Sequence, residues 1–575
     1  MRPVRAARPL PASVALLLAL LAAGCASKPE LPAAGPIARP APAAYDLVIR
    51  GGTIYDGSGG APYKGDVAIS GDRIVAAGPA LKGAAKREID ARGLAVAPGF
   101  INMLSWANET LLQDGRGESD IRQGVTLEVM GEGRSMGPLN PQMKAELQNR
   151  QIEIKYPVTW TSLGQYLEEL EARGVSPNVA SFVGAATVRT HELGEADVDP
   201  SPEQLGRMRA LVRQAMDEGA MGVGSSLIYV PATFAETDEL VALAAEAGRC
   251  GGMYISHIRN EGPRLLASID ELIEIGRRSG ARAEVYHLKA AGPANWHLMD
   301  AAIARIAAAR AGGLPITADM YLYTASGTGL DSTLPIWVRE GGHDAMVARL
   351  KQPEMRARVV AELRGARPGR DWSAVQPSSF HNPALRHYAN KRLSEIAALR
   401  GQSPEETAID LVVEDDSRVG TIFHSMSEDK VRLGLVQPWV SFGSDAGAIP
   451  AEPPFTDTPV HPRTYGNFAR LLGRYVREEK LVTLAEAVRR LTSLPATNLG
   501  LSDRGRLKPG YFADLAIFDP ATVGDRATYE RPHQYAVGMR HVLVNGVPVL
   551  KDGAHTGARP GRVVRGPGWR KCRAG

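Results

Sequence analysis

The chain has 575 residues, of which 44% are hydrophobic and 23% are charged. A chain of this length and composition folds as a globular protein with a large core and room for more than one domain, so a disordered protein is excluded. The formal net charge is only +4, and no basic run is concentrated in the sequence. This composition argues against nucleic acid as a partner.

Residues 1–24 are predicted to be a signal peptide. Arginines in MRPVRAARPL precede the apolar run ASVALLLALLAAG, which is too short for a stop-transfer helix. The run ends in AAGC, which resembles a bacterial lipobox and makes Cys25 the predicted lipidation site. An ordinary signal peptide cleaved near the same place is the alternative. Either signal predicts export, and the lipobox predicts a lipid anchor at the periplasmic face of a bacterial membrane.

Residues 25–44 are rich in proline and alanine and are predicted to form an extended tether. Beyond Cys25, the sequence contains only Cys250 and Cys572. We therefore expect no disulfide framework, even in an oxidising compartment, and a stability that depends on core size. Cys250 precedes a predicted strand, which is the wrong end for a metal ligand, so we interpret it as a packing residue.

Short apolar strands with Gly, Asp and Asn turns occur at both ends of the remaining chain. Residues 45–96 and 500–560 share this pattern and are expected to form one small composite β domain. Residues 97–499 instead alternate strand-like runs with amphipathic helical segments, which is typical of an α/β fold with a parallel sheet. The runs are LAVAPGFINML, GVTLEVMG, NVASFVGAA, GAMGVGSSL, GGMYISHI, ARAEVYHL, LPITADMYLY and WVSFGSDAG. Eight such runs are the number that closes a (β/α)8 barrel.

The seventh and eighth runs are too far apart for a single crossover helix. A helical insertion at about 326–416 is therefore predicted between them. Its place beside the strand ends suits a lid, and a purely structural excursion is the alternative.

Three polar residues occur at the ends of predicted barrel strands, where the active sites of such barrels lie. His257 occurs in YISHIRNEG, His287 in EVYHLKAAG and Asp445 in SFGSDAGA. The two histidines finish successive strands and are expected to lie side by side. Neutral imidazole is a good zinc ligand, so we predict a metal site there, although a lone buried histidine is more often a hydrogen-bonded core residue.

Many longer motifs of the sequence belong together. They include DLVIRGGTIYDGSG, APGFIN, QGVTLEVMGEG, SSLIYVPATFAETDEL, SHIRNEG, YHLKAAG, GSDAG, HPRTYGNFARLLGRYVREE, TSLPATNLGL, RGRLKPGYFADLAIFDP and VLVNG. With these motifs the chain resembles the D-aminoacylase (N-acyl-D-amino-acid deacylase) branch of the amidohydrolase superfamily over nearly all of its predicted mature length. The resemblance implies a TIM-like metal-dependent hydrolase barrel, a composite β domain, zinc, and hydrolysis of an acyl group from a D-amino acid.

The family pattern assigns roles to single residues of this chain. It implies that the two histidines are ligands of a tightly held zinc and that Asp445 is the general base and acid. Lys289 in YHLK and Tyr321 in ADMYLY match positions that contact the substrate. Arg463 in HPRTYG matches the arginine that holds the substrate carboxylate, a task suited to a planar guanidinium. Alternatively, Arg463 is a surface residue that caps the following helix, and Asp445 orients a ligand or caps a turn.

Two departures from the family pattern concern the metals. Where the family has two histidines at the end of the first barrel strand, this chain has Leu104 and Trp106, whose side chains cannot ligate a metal. The family's cysteine ligand after the second strand is missing from MGEGRS, which offers Glu132 instead. We therefore expect one zinc per chain, held by Glu132 and the two histidines. Alternatively, Glu132 is a turn residue paired with Arg134.

Two functions are compatible with these residues. The first is an exported amidohydrolase with a single zinc that hydrolyses N-acyl-D-amino acids or related amides, with Asp445 transferring the proton. The second is a lipoprotein pseudoenzyme of the same fold that binds a ligand or a partner, which Leu104 and Trp106 favour. The expected partner is a small-molecule amide, membrane contact is expected through the lipid anchor only, and the sequence predicts no particular oligomeric state.

Overall fold

The structure is a computed structural model that describes residues 44–151, 154–366 and 371–572. The signal peptide, Cys25 and nearly all of the predicted tether lie outside the described residues. Among the helices of the described part, none combines the length and the apolar character needed to cross a membrane.

The described chain begins with short strands joined by tight turns. They are β1 (Tyr45–Ile54), β2 (Tyr63–Ser70), β3 (Arg73–Gly78), β4 (Ala85–Asp90) and β5 (Ala95–Pro98). β1 pairs antiparallel with β2, and β2 pairs antiparallel with β3. Gly71, in the turn between β2 and β3, has a φ of 59°, a backbone conformation that glycine adopts readily.

The barrel region supplies the next strands. They are β6 (Phe100–Asn102), β7 (Val125–Met130), β8 (Asn178–Ser181), β9 (Val183–Gly184), β10 (Gly222–Ser226), β11 (Met253–His257), β12 (Arg282–Val285), β13 (Ile316–Met320), β14 (Ser326–Gly329), β15 (Val375–Ser379), β16 (Gly420–Phe423) and β17 (Val440–Phe442). β6, β7 and β8 form one parallel sheet, and β9 to β13 form another together with β17. Each predicted barrel run contains strand residues, with β8 and β9 in the same run.

The two parallel sheets close into one barrel. Phe182 alone separates β8 from β9, and its N–H donates to the Met130 carbonyl at 2.8 Å, which keeps the strand continuous. On the other side, the N–H of Met103 donates to the Phe442 carbonyl at 3.2 Å and links β6 to β17. The predicted (β/α)8 barrel is therefore confirmed.

Helices surround the barrel and fill the insertion. In chain order they are α1 (Thr110–Gln113), α2 (Glu118–Ile121), α3 (Pro141–Asn149), α4 (Leu163–Arg173), α5 (Ala185–Leu193), α6 (Pro202–Asp217), α7 (Thr237–Arg249), α8 (Leu265–Ser279), α9 (Leu298–Ala311), α10 (Ile336–Arg339), α11 (Gly342–Leu350), α12 (Pro353–Ala366), α13 (Leu393–Arg400), α14 (Pro404–Asp415), α15 (Glu428–Leu435), α16 (Arg463–Arg470), α17 (Leu484–Leu491) and α18 (Ser493–Asn498). α4, α6 and α14 begin at serine capping boxes, which explains where these helices start.

The insertion between β13 and β17 contains a sheet as well as helices. β14, β16 and β15 form an antiparallel sheet in that order. The insertion has its own core, which includes Leu330, Phe380 and Leu411. Its first strand is β14, and its sheet was not part of the predicted helical insertion. β14 reads SGTG, so glycine and serine replace the alternating apolar pattern that identifies a strand.

The end of the chain returns to the first sheet. Its strands are β18 (Leu515–Phe518), β19 (Met539–Val544), β20 (Val547–Lys551) and β21 (Ala554–His555). β18 pairs antiparallel with β5, so strands from both ends of the described chain form one nine-stranded sheet. The predicted composite β domain is therefore confirmed.

The last described residues run along the amino-terminal end of the barrel. The N–H of Val564 donates to the carbonyl of Val179, the second residue of β8, at 2.8 Å. Cys572 reaches Cys250 with a Cα–Cα distance of 5.5 Å, and the two cysteines form a disulfide. The described chain thus contains one disulfide, not a framework of several, and the interpretation of Cys250 as only a packing residue is wrong. The two cysteines are 322 residues apart, and only the folded path of the C-terminal segment brings them together.

Candidate active site

Side chains at the carboxyl ends of the barrel strands form a buried cluster. His257 is the last residue of β11, and His287 follows shortly after β12. Glu132 lies in the turn after β7, between two glycines with positive φ. The exposed fractions are 3% for Glu132, 5% for His257 and 2% for His287. The structure thus brings the three predicted metal ligands together where barrel enzymes have their active sites.

One oxygen of Glu132 contacts both histidines. Its Oε1 lies 2.9 Å from His257 Nδ1 and 3.2 Å from His287 Nε2. The ligand atoms of the three side chains all lie within 4.8 Å of one another. The other ring nitrogen of His257 is buried and has no hydrogen-bond partner among the described residues. Two imidazoles and a carboxylate form a donor set that suits zinc and leaves a fourth position open, so these residues fit a metal ion.

Glu132 is held in its ionised form. Burial raises its pKa, but hydrogen bonds with His257 and His287 outweigh burial and lower the pKa well below its ordinary value. The guanidinium of Arg134 instead pairs with Glu195 at 2.6 Å. The alternative pairing of Glu132 with Arg134 is therefore not formed among the described residues. Glu132 offers the carboxylate that metal binding requires.

His287 has a second carboxylate beside its other ring nitrogen. Glu261 Oε1 lies 3.1 Å from His287 Nδ1. Burial and the neighbouring Lys289 lower the pKa of His287, but Glu261 and Glu132 outweigh them and raise it to about 10. A carboxylate on Nδ1 fixes the ring and directs Nε2 towards the metal position, as is common for metal-ligating histidines. The sequence analysis missed Glu261, although an acidic residue four positions after His257 in SHIRNEG was a usable signal.

Lys289 and Tyr321, both predicted to contact the substrate, line the same cluster. The Lys289 ammonium group forms an ion pair with Glu261 and donates to the His287 carbonyl at 3.2 Å. It also lies 5.6 Å from the centroid of the Tyr321 ring. Tyr321 directly follows β13 and is buried. The ion pair with Glu261 thus keeps the Lys289 ammonium group next to the metal position.

Asp445 and Arg463 form a buried ion pair beside this cluster. Asp445 Oδ2 lies 2.9 Å from Arg463 Nη1. Arg463 begins α16 and is 4% exposed, so it is not a surface residue. Its guanidinium carbon lies 4.5 Å from the centroid of the Tyr321 ring, and its Nε has no hydrogen-bond partner among the described residues. Burial raises the pKa of Asp445, although Arg463 opposes the rise. A carboxyl group with a raised pKa is suited to accept and release a proton.

The loop after β6 brings an indole into the site. The N–H of Trp106 lies 2.9 Å from Glu132 Oε2 and 3.1 Å from Asp445 Oδ1. Leu104 is 1% exposed and belongs to the hydrophobic core of the barrel. Neither side chain supplies a ligand atom for a metal, since indole nitrogen is only a donor. The sequence analysis did not predict that Trp106 contacts both carboxylates.

The first strand of the insertion lies beside the site. The Tyr229 ring lies 5.5 Å from the His257 ring, and its hydroxyl is 2.6 Å from Thr328 Oγ1 in β14. Arg463 Nη2 lies 3.5 Å from the carbonyl of Gly327 in the same strand. The insertion therefore borders the site through β14.

Comparison with known proteins identifies the family of this chain. Residues 87–550 match the amidohydrolase family. The N-acyl-D-glutamate deacylase of Alcaligenes xylosoxydans xylosoxydans is 35% identical to this chain over 523 residues, which are 90% of this chain and 96% of the relative. The chain therefore belongs to the amidohydrolase family, whose fold it shares, and is a hydrolase of carbon–nitrogen bonds other than peptide bonds.

Two solved structures give the position within the family. An N-acyl-D-glutamate deacylase from Bordetella bronchiseptica, complexed with zinc and a phosphonate mimic of the tetrahedral intermediate, has a TM-score of 0.76 and 32% identity over 91% of this chain and 99% of that one. A D-aminoacylase structure has a TM-score of 0.76 and 31% identity over 91% of this chain and 100% of that one. That protein has a binuclear metal centre, for which one-metal activation and second-metal attenuation are described. The chain is a member of the D-aminoacylase branch.

Proposed function

We propose that the protein is a zinc-dependent deacylase of N-acyl-D-amino acids that works with a single metal ion. The observation that carries this proposal is the buried cluster of Glu132, His257 and His287 directly beside the Asp445–Arg463 ion pair. The two deacylases named above and the D-aminoacylase support the substrate class.

The number of metals follows from the donor atoms near the site. Leu104 and Trp106 stand at the end of β6 and offer no ligand atom, whereas Glu132 and the two histidines offer three. When bound, the zinc polarises the substrate carbonyl and lowers the pKa of water to roughly 7. One-metal activation is described for the related D-aminoacylase, and this supports a single metal ion here.

The protein's own residues supply proton transfer and substrate binding. Asp445 accepts a proton from the attacking water while the carbon–oxygen bond forms. It then delivers the proton to the amide nitrogen as the carbon–nitrogen bond breaks, so that a carboxylic acid and a free amino acid leave. Arg463 has an Nε without a hydrogen-bond partner among the described residues and is suited to bind the α-carboxylate of the substrate, while the Tyr321 ring supports its guanidinium.

We further propose that the mature protein is exported and anchored to a membrane through a lipid on Cys25. The apolar run that ends in AAGC and the Pro/Ala-rich tether after it support this localisation. The disulfide between Cys250 and Cys572 supports it independently, because disulfides persist mainly in oxidising compartments outside the cytoplasm.

A hydrolysis screen tests the proposed reaction. Purified zinc-loaded protein is incubated with the N-acetyl derivatives of D-glutamate, neutral D-amino acids and their L-enantiomers, and free amino acid is measured. We expect release from at least one D-substrate and a loss of release in His257→Ala. If the loaded protein releases no amino acid from any substrate, the proposal is wrong and the ligand-binding pseudoenzyme is the better explanation.

A further inference from the structure

The indole N–H of Trp106 contacts a carboxylate in each half of the proposed site. This single N–H is shared between Glu132 Oε2 at 2.9 Å and Asp445 Oδ1 at 3.1 Å. Glu132 belongs to the metal-binding cluster and Asp445 to the acid–base pair. The relation between these two carboxylates therefore depends on the indole.

We propose that Trp106 is a positioning residue that joins the metal ligand Glu132 to the acid–base residue Asp445. This inference rests on the proposed function, because it assigns a metal to Glu132 and proton transfer to Asp445.

Hydrogen bonds and one ion pair give the two oxygens of each carboxylate different partners. Trp106 holds Oε2 of Glu132, so Oε1 faces His257 Nδ1 and His287 Nε2. At Asp445, Trp106 holds Oδ1 and Arg463 holds Oδ2. Each carboxylate is thereby fixed in one rotamer. Two buried carboxylates repel each other, and the shared N–H offsets part of that repulsion.

The backbone keeps the indole in place. The backbone N–H of Trp106 donates to the Ala446 carbonyl at 2.9 Å, and the backbone N–H of Asp445 donates to the Leu104 carbonyl at 2.8 Å. Two backbone hydrogen bonds thus join the loop that carries Trp106 to the loop that carries Asp445. The ring is 39% exposed, so a change of its N–H alters the site without opening a large cavity in the core.

The test separates the N–H of Trp106 from its bulk. Trp106→Phe keeps an aromatic ring and removes the donor. Trp106→Gln restores an N–H donor, since the amide nitrogen of glutamine is as many bonds from Cβ as the indole nitrogen. Trp569→Phe is a matched control, because Trp569 is 40% exposed and lies near the end of the chain, away from the site. Zinc affinity is measured by competition with a chelator, the visible spectrum with Co²⁺, and kcat with a hydrolysed substrate.

We expect Trp106→Phe to bind zinc about 10–100-fold more weakly, as is typical when a partner of a metal ligand is removed, and to show an altered Co²⁺ spectrum and a lower kcat. Trp106→Gln should recover part of the zinc affinity and part of kcat. Trp569→Phe should match the wild type. Wild-type affinity, spectrum and kcat in Trp106→Phe would overturn the inference, and so would a Trp106→Gln variant no better than Trp106→Phe. A wild type that binds no zinc would overturn the proposed function as well, which distinguishes the two failures.

Discussion

Two residues of the site have positive φ angles, which residues other than glycine seldom adopt. His287 has a φ of 37° and Asp445 a φ of 50°. Such conformations cost about 1–3 kcal/mol each and persist when neighbouring groups hold them. For His287 that neighbour is Asp319, whose Oδ1 accepts the His287 N–H at 3.0 Å. For Asp445 it is the Leu104 carbonyl. The site geometry therefore depends on contacts that no local sequence pattern records.

The acid–base assignment predicts the effect of Asp445→Asn. The change keeps the shape of the side chain but removes its affinity for a proton, so turnover should fall by roughly 10²–10⁴-fold. Zinc content should stay at the wild-type level, because the ligands are untouched. Turnover and zinc content are measured on the same preparation. Near-normal turnover with full zinc, or a loss of zinc, would instead assign Asp445 to turn capping or ligand orientation.

Glu284 predicts a pH dependence of stability. This buried glutamate accepts hydrogen bonds from Thr317 and Asn498, but burial outweighs them and raises its pKa to about 7. The folded state therefore keeps the Glu284 proton to a higher pH than the unfolded state does. The free energy of unfolding should fall as the pH rises from the ordinary glutamate pKa to about 7, because over this range the unfolded state has released this proton and the folded state has not. Between about pH 5 and pH 8, the free energy of unfolding should fall less in Glu284→Gln than in the wild type.

A matched control for this prediction is Glu246→Gln, measured by the same urea titrations. Glu246 is also buried, but Arg209 and Arg213 outweigh burial and lower its pKa, so it is ionised over the whole range. Its replacement should cost the same free energy at both pH values. An equal fall for wild type and Glu284→Gln would show that Glu284 does not titrate in this range.

At the scale of strands and loops, the repeated strand–helix pattern was predictable from the sequence. A single irregular strand and the hydrogen bonds of one loop were not. The barrel strands were found because each is an apolar run that alternates with a helix. β14 was missed because its glycines and serine carry no such pattern, although it lies beside the site. His257 and His287 were found from their place at strand ends. Trp106 was recognised as a non-ligand, but the direction of its N–H is set by hydrogen bonds between distant loops.

The disulfide that joins the C-terminal segment to the barrel predicts an effect on stability. The Cys250–Cys572 disulfide closes a separation of 322 residues and so restricts the unfolded chain strongly. Cys572→Ser should lower the free energy of unfolding by about 2–5 kcal/mol. Chemical denaturation of the variant is compared with that of the wild type with and without reductant. The variant should match the reduced wild type, and a variant as stable as the oxidised wild type would contradict the prediction.

At the scale of the whole molecule, the two ends of the described chain meet in one sheet while the barrel between them carries the site. The proposed lipid anchor lies outside the described residues, beyond the predicted tether. Cys25→Ser should therefore release the protein from membranes or block its maturation without changing the purified enzyme. Membrane fractionation and mass spectrometry of the mature protein measure this effect. A variant that stays with membranes, together with a wild type that carries no lipid, would show that the lipobox prediction is wrong.

The central claim is that a single zinc, held by Glu132, His257 and His287, activates this amidohydrolase. The most direct measurement is a zinc titration of chelator-treated protein with hydrolysis of an N-acyl-D-amino acid followed at each step. We predict that activity rises in proportion to the first equivalent of zinc and reaches its full value there, and that His287→Ala binds little zinc and stays inactive. Activity that requires a second equivalent, or zinc uptake that His287→Ala does not reduce, would contradict the claim.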